Sequence, residues 1–139
     1  MATSPVDDPV SAKAQAAEKV KSTLEASISA GEQQFGSGTK SPCSTSSPRM
    51  FTPKCKAAAG AVSGSADLAV QQIDGRAGFA TLDSVARKLQ AAVHTYEQLG
   101  CAAGPTAPRT RHACLAPAAA IAQGFDDLRG GANLALAGK

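Results

Sequence analysis

Four cysteines, two histidines and two methionines are the only side chains in this 139-residue chain with sulfur or imidazole donors. The cysteines bracket two short stretches, CSTSSPRMFTPKC from Cys43 to Cys55 and CAAGPTAPRTRHAC from Cys101 to Cys114. Sulfur placed this way could hold a metal, attack as a thiolate, or close disulfides. Structural zinc takes ligands about two to five residues apart, whereas eleven and twelve residues separate the members of these pairs. An even count with matched spacing reads instead as two disulfides, which persist in an oxidising compartment. Four cysteines allow three connectivities. Local pairing, Cys43–Cys55 and Cys101–Cys114, closes each loop on itself and asks least of the chain.

Other chemistry is thinly supplied. His94 and Tyr96 stand two apart, so on a helix they point about 200° apart and cannot face one ligand. Met50 and His112, one in each cysteine loop, would suit copper but have no third ligand. Asp126 and Asp127 are adjacent and diverge on a helix, which makes them poor partners for acid–base work. There is no Gly-rich phosphate loop in a strand–helix context, no nucleophile elbow, and no evident carboxylate to orient either histidine. The expectation is a non-enzyme with no cofactor and no metal.

Composition and periodicity say what positions these loops. Trp is absent and Phe and Tyr total five, while Ala, the best helix former, dominates the apolar fraction. Val, Ile, Thr and aromatics are too sparse and badly alternated for several strands. The class is all-α, with a thin core that needs covalent help. Residues 1–8 read as a disordered lead. Asp8–Pro9 then offers a cap followed by a first-turn proline, and Val10, Ala14, Ala17, Val20, Leu24 and Ile28 recur at helical spacing, extended by Phe35 and ended at Gly36–Gly38. Thr52–Pro53 repeats the start signal, and Val62, Ala66, Ala69, Val70 and Ile73 carry the second helix to Gly75. Gly60 and Gly64 within it offer a smooth strip that a neighbouring helix could approach. Phe79, Leu82, Ala86, Leu89, Val93 and Tyr96 form a heptad seam stopped at Gly100. Ile121, Phe125, Leu128, Ala132 and Leu136 mark the last helix, with a weakness expected at Gly130–Gly131. Helices near 9–35, 53–74, 79–99 and 115–136 predict a single-domain, antiparallel, up-down-up-down four-helix bundle over 9–139. VKSTLEASI (Val20–Ile28) and VARKLQAAV (Val85–Val93) share apolar positions, so the two stapled hairpins look like a duplication.

In that topology both loops lie at one end of the bundle, and their charge is lopsided. Lys40, Arg49, Lys54 and Lys56 attend the first loop, Arg109, Arg111 and His112 the second, and no acid occurs from Lys40 to Lys56 or from Gln98 to Leu115. The chain is +3 overall, so outside these six basic charges it is net −3. A focused cationic surface attracts anionic partners. The expected partner-binding residues are Arg49, Met50, Lys54, Lys56, Arg109, Arg111 and His112. The partner is expected to be another protein, such as an exported enzyme that is inhibited or neutralised, or an anionic envelope component. Nucleic acid is not expected, since no aromatics interleave the basic residues. Two further ideas are a protease-directed extended loop at SPRM (Ser47–Met50) or APRT (Ala107–Thr110), and a carrier whose helices part around a lipid or haem. A passive envelope component is a third. The N-terminus has neither basic n-region nor apolar h-region, so Met1 is expected to stand in place of a removed export signal or lipoprotein anchor. No window suits a membrane span. The location expected is extracellular or periplasmic, and the Ala/Gly-rich composition points to a GC-rich bacterial genome.

Overall fold

The computed structural model describes the backbone from Pro9 to Lys139 and side chains from Ala12 onward. The expected lead at 1–8, the Asp8 cap and the Val10 side chain lie outside the described residues. The chain is all-helical: α1 (Pro9–Phe35), α2 (Pro53–Ile73), α3 (Ala80–Gln98), α4 (Pro108–Ala122) and α5 (Gly124–Ala135), with 3₁₀ turns at Gly38–Lys40, Pro48–Phe51 and Cys101–Ala103. Among the described residues there is no strand, and no helix is long and apolar enough to cross a membrane.

Local chemistry accounts for most boundaries. Gly36 adopts φ 76°, the left-handed position that ends α1 at low steric cost. Thr52 caps α2 by accepting a hydrogen bond from the Lys54 N–H at 3.3 Å, with Pro53 at the first helical position. Asp74, also left-handed at φ 48°, closes α2, and its last turn is held by the Arg76 Nε–H, which donates to the Ile73 carbonyl at 3.1 Å. The start of α3 has no side-chain cap. The Thr81 N–H donates instead to the Lys139 carbonyl at 2.9 Å, so Lys139 caps the third helix.

The last third of the chain departs from the expectation. Helix formation begins at Pro108, seven residues before the expected start at 115, because Pro108 rather than Pro117 fills the first-turn role. Pro117 is buried inside α4. The break falls at Gln123, and α5 runs through Gly130–Gly131 without interruption. Among the described residues, five α-helices therefore stand where four were expected.

The core joins α1 to α2 and α5, α2 to α3, and α3 to α4 and α5. Leu24, Ile28, Val62, Leu82, Ala86, Tyr96, Ile121, Phe125 and Leu128 are buried together, and every member of the Phe79–Tyr96 seam is among the buried residues. Ala14 and Leu136, both assigned to the apolar stripes, are exposed and line one open depression with Ala77–Phe79. The close approaches are made by glycines other than those expected. A Cβ on Gly124 would lie 2.6 Å from Val62 Cγ1, one on Gly131 3.0 Å from Leu82 Cα, and one on Gly31 would meet the Phe125 ring. Gly60 and Gly64 are exposed, with nothing within 4 Å of an added Cβ, so no helix among the described residues uses that strip.

Polar contacts cross-link the same helices. Arg129 on α5 pairs with Glu25 at 2.7 Å and Glu32 at 2.5 Å on α1, with Asp126 at 3.7 Å beside it. The guanidinium hydrogen bonds pull the Glu25 carboxyl down to about 2 and also lower that of Glu32. Ser27 and Ser65 share a hydrogen bond at 2.7 Å between α1 and α2.

Candidate functional site

The two loops are closed as their spacing suggests. Cys43 bonds Cys55 and Cys101 bonds Cys114, with no free cysteine among the described residues. All four cysteines are fully buried, so each staple is packed from beneath while its loop faces outward. Cys55 lies in the first turn of α2. Cys114 is in the second turn of α4, since that helix starts early.

The loops are pressed together at two points. The Gly104 N–H donates to the Phe51 carbonyl at 3.1 Å. The Arg111 guanidinium carbon sits 3.9 Å from the centre of the Phe51 ring, a distance at which cation–π attraction operates. Arg111 Nη1 also donates to the Pro105 carbonyl at 2.9 Å, which fixes the guanidinium within its own loop. From below, the Tyr96 hydroxyl donates to the Met50 carbonyl at 2.6 Å, tying α3 to the first loop. Between the loops runs an open groove, lined by Ser47, Phe51, Thr52, Arg111, His112 and Leu115 among others.

The expected site residues fall into three groups. Arg111 and His112 are exposed and line the groove. Arg49, Lys54 and Arg109 are exposed on the Pro48–Phe51 turn and on the first turns of α2 and α4, and none of them forms an ion pair among the described residues. Lys56 is exposed but turns toward a separate depression that it shares with Glu97, so an acid dilutes its charge. Lys40 lies exposed at the end of the Gly38–Lys40 turn.

Met50 is the correction. It is 2% exposed and belongs to the core. An unbranched thioether fills an irregular gap under a loop, and here it leaves Met50 almost wholly buried beneath the groove that it helps to line. Met50 and exposed His112 both line the groove, with no other sulfur or imidazole donor in its lining, and the described residues hold no group of three or more His, Cys, Asp or Glu placed to bind a metal. His94 is exposed while Tyr96 is fully buried, with burial pushing its phenol up to about 12.

Neither Pro-Arg stretch is extended. Pro48–Phe51 is a 3₁₀ turn capped by the Ser47 hydroxyl, which accepts from the Arg49 N–H at 3.2 Å, and Pro108–Thr110 opens α4. Neither is therefore held as the extended strand that the protease-directed reading expects. The reading that no aromatic lies among the cations also fails. Phe51 does, half-buried, with one ring face taken by Arg111. The signal was present in the sequence, as an aromatic in one basic loop and a lone Arg-X-Arg in the other, but only the packing of the loops joins them. Leu115, 37% exposed, lines the same groove as Arg111 and carried no signal in the sequence.

Comparisons of the chain with protein-family models, with curated proteins and with solved structures gave no match.

Proposed function

We propose that this chain is a non-enzymatic, exported binding module, built as an up-down-up-down four-helix bundle in which α4 and α5 together form a bent fourth helix. The pairing of α1 with α5 supports that topology: Lys21 contacts Asn133, Glu25 and Glu32 contact Arg129, and Gly31 meets Phe125, one sequence rising as the other falls. Two buried disulfides suit an oxidising extracellular or periplasmic setting.

The observation that carries the binding reading is the joined tip. Two covalently closed loops share a stacked Arg111–Phe51 pair and are ringed by Arg49, Lys54 and Arg109, exposed and in no ion pair among the described residues. A surface held rigid before contact loses little entropy on binding, and its clustered charge steers an anionic macromolecule onto it. The partner is an anionic protein, such as an exported enzyme that it restrains. The carrier alternative requires the helices to part, and the tight contacts at Gly31, Gly124 and Gly131 oppose it.

The test is capture of exported proteins from the producing organism with the wild-type chain and with a variant in which Arg49, Lys54 and Arg109 are all Ser. Helicity should hold, since exposed substitutions away from caps and core typically cost under about 0.5 kcal/mol. Capture should weaken by about tenfold or more and fall with added salt. Equal capture by the two proteins at low salt would remove the tip from consideration.

A further inference from the structure

Resting on the tip-binding reading, we infer that Arg111 is a pre-set carboxylate fork and that the groove beside it takes an acidic polypeptide segment carrying an apolar side chain. The guanidinium is already positioned: the Phe51 ring lies 3.9 Å below its carbon, and the Pro105 carbonyl accepts from Nη1 at 2.9 Å. Of the five donors an arginine offers, Nε and Nη2 make no hydrogen bond to any described group. An arginine stacked on an aromatic face keeps its edge available for a bidentate carboxylate, and that planar match is what a lysine cannot reproduce. The orientation is fixed before the partner arrives, so little is lost in ordering it.

The lining of the groove selects among anionic partners. Leu115, 37% exposed, lines it from α4, and Ser47, Phe51 and Thr52 line it from the first loop. Apolar, aromatic and arginine side chains in one small area resemble the make-up of protein-binding surfaces. A polysaccharide or a lipid headgroup would satisfy the arginine but offer nothing to Leu115. An Asp or Glu next to a Leu, Ile or Phe satisfies both.

The probe is a short fluorescent peptide of alternating Glu and Leu, compared with an all-Glu peptide, a Gln–Leu peptide, a heparin oligosaccharide and phosphatidylglycerol vesicles. The wild-type chain should prefer the Glu–Leu peptide. Arg111→Lys, which keeps the charge and removes the fork, should weaken it by about tenfold or more. Leu115→Ser should lower affinity for the Glu–Leu peptide and leave the all-Glu peptide unchanged. On the wild-type protein, peptide-induced NMR shifts should centre on the Arg111 Nε–H and the Gly104 and Thr52 amides, a readout that needs no variant to fold. If Arg111→Lys binds like wild type while the Arg49, Lys54 and Arg109 variant binds weakly, the fork is refuted and the charged tip stands. Tighter binding of heparin or vesicles than of the Glu–Leu peptide refutes the polypeptide partner. No binding of any of these polyanions at low salt would overturn both the fork and the tip.

Discussion

The hydroxyl of Tyr96, on a helix, donates 2.6 Å to the backbone carbonyl of Met50, in a loop forty-six residues away. Both residues are buried, so the bond satisfies a carbonyl that water does not reach and fixes the first stapled loop to the α3 seam. Tyr96→Phe keeps the ring and orphans that carbonyl. The expected cost is about 1–3 kcal/mol, the penalty for a buried polar group left unpaired, read as a lower urea midpoint with unchanged slope.

Tyr96 is the only tyrosine, which gives the same bond a clean optical signature. Burial raises its phenol from the ordinary 10 to about 12. A folded-state value above the unfolded one means that the folded protein holds the proton more tightly. The associated stability is complete below pH about 10 and is lost as pH rises through about 12. Tyrosinate absorbance should therefore appear near pH 12 in the native protein and near pH 10 in denaturant. Coincident titrations in the two states would show that the phenol is not sequestered.

The Arg129 clamp should govern acid stability. Its carboxylates titrate low in the folded chain, Glu25 near 2 against an ordinary 4.5, with Glu32 shifted in the same direction. Their contribution is thus present above pH about 4.5 and declines as pH falls toward 2. The side chains of Arg129 and Glu25 are 32% and 36% exposed, so screening limits the clamp to about 1 kcal/mol. Glu25→Gln should lower the melting temperature at pH 7 and narrow the gap from wild type at pH 3. A constant gap across that range would show that the clamp does not set the acid limb.

Glycine substitutions should split by sign. Gly60→Ala and Gly64→Ala meet nothing within 4 Å on an exposed helical face, so each should stabilise by about 0.5–1 kcal/mol. Gly124→Ala would put a methyl 2.6 Å from Val62 Cγ1 and should destabilise by roughly 1–3 kcal/mol. Equilibrium urea unfolding of the three single variants tests the pattern. Stabilisation by Gly124→Ala would mean that α5 does not approach α2 this closely.

Each disulfide closes a loop whose removal from the unfolded ensemble is worth roughly 3 kcal/mol by chain entropy. Replacing Cys43 and Cys55 together with Ala should cost about that much. Because all four sulfurs are fully buried, dithiothreitol should reduce the native protein slowly and the urea-unfolded protein quickly, as followed by thiol alkylation. Equal rates would place the staples on the surface.

Much of this arrangement is written locally. The Thr52–Pro53 start, the Gly36 and Gly100 stops and the 3-4 spacing of Phe79 through Tyr96 depend on capping, backbone sterics and periodicity within a turn or two, and the sequence alone determined them. The sequence allowed three cysteine connectivities and favoured the local one, which the structure shows, with short loops between helix ends bringing each pair together. The misplaced features all depend on partners far along the chain. Pro108 and Pro117 carry the same first-turn signal, and packing of Cys114 and Pro117 into the core decides that α4 starts at the earlier one. Gly60 and Gly124 are the same residue type, yet only Gly124 faces a neighbouring side chain. Met50 sits in a polar loop that reads as exposed until the Tyr96 hydroxyl draws its carbonyl inward. At the candidate site, charge was legible from composition, but the Arg111–Phe51 stack was not, because sixty residues separate two side chains that meet only when both loops close against each other.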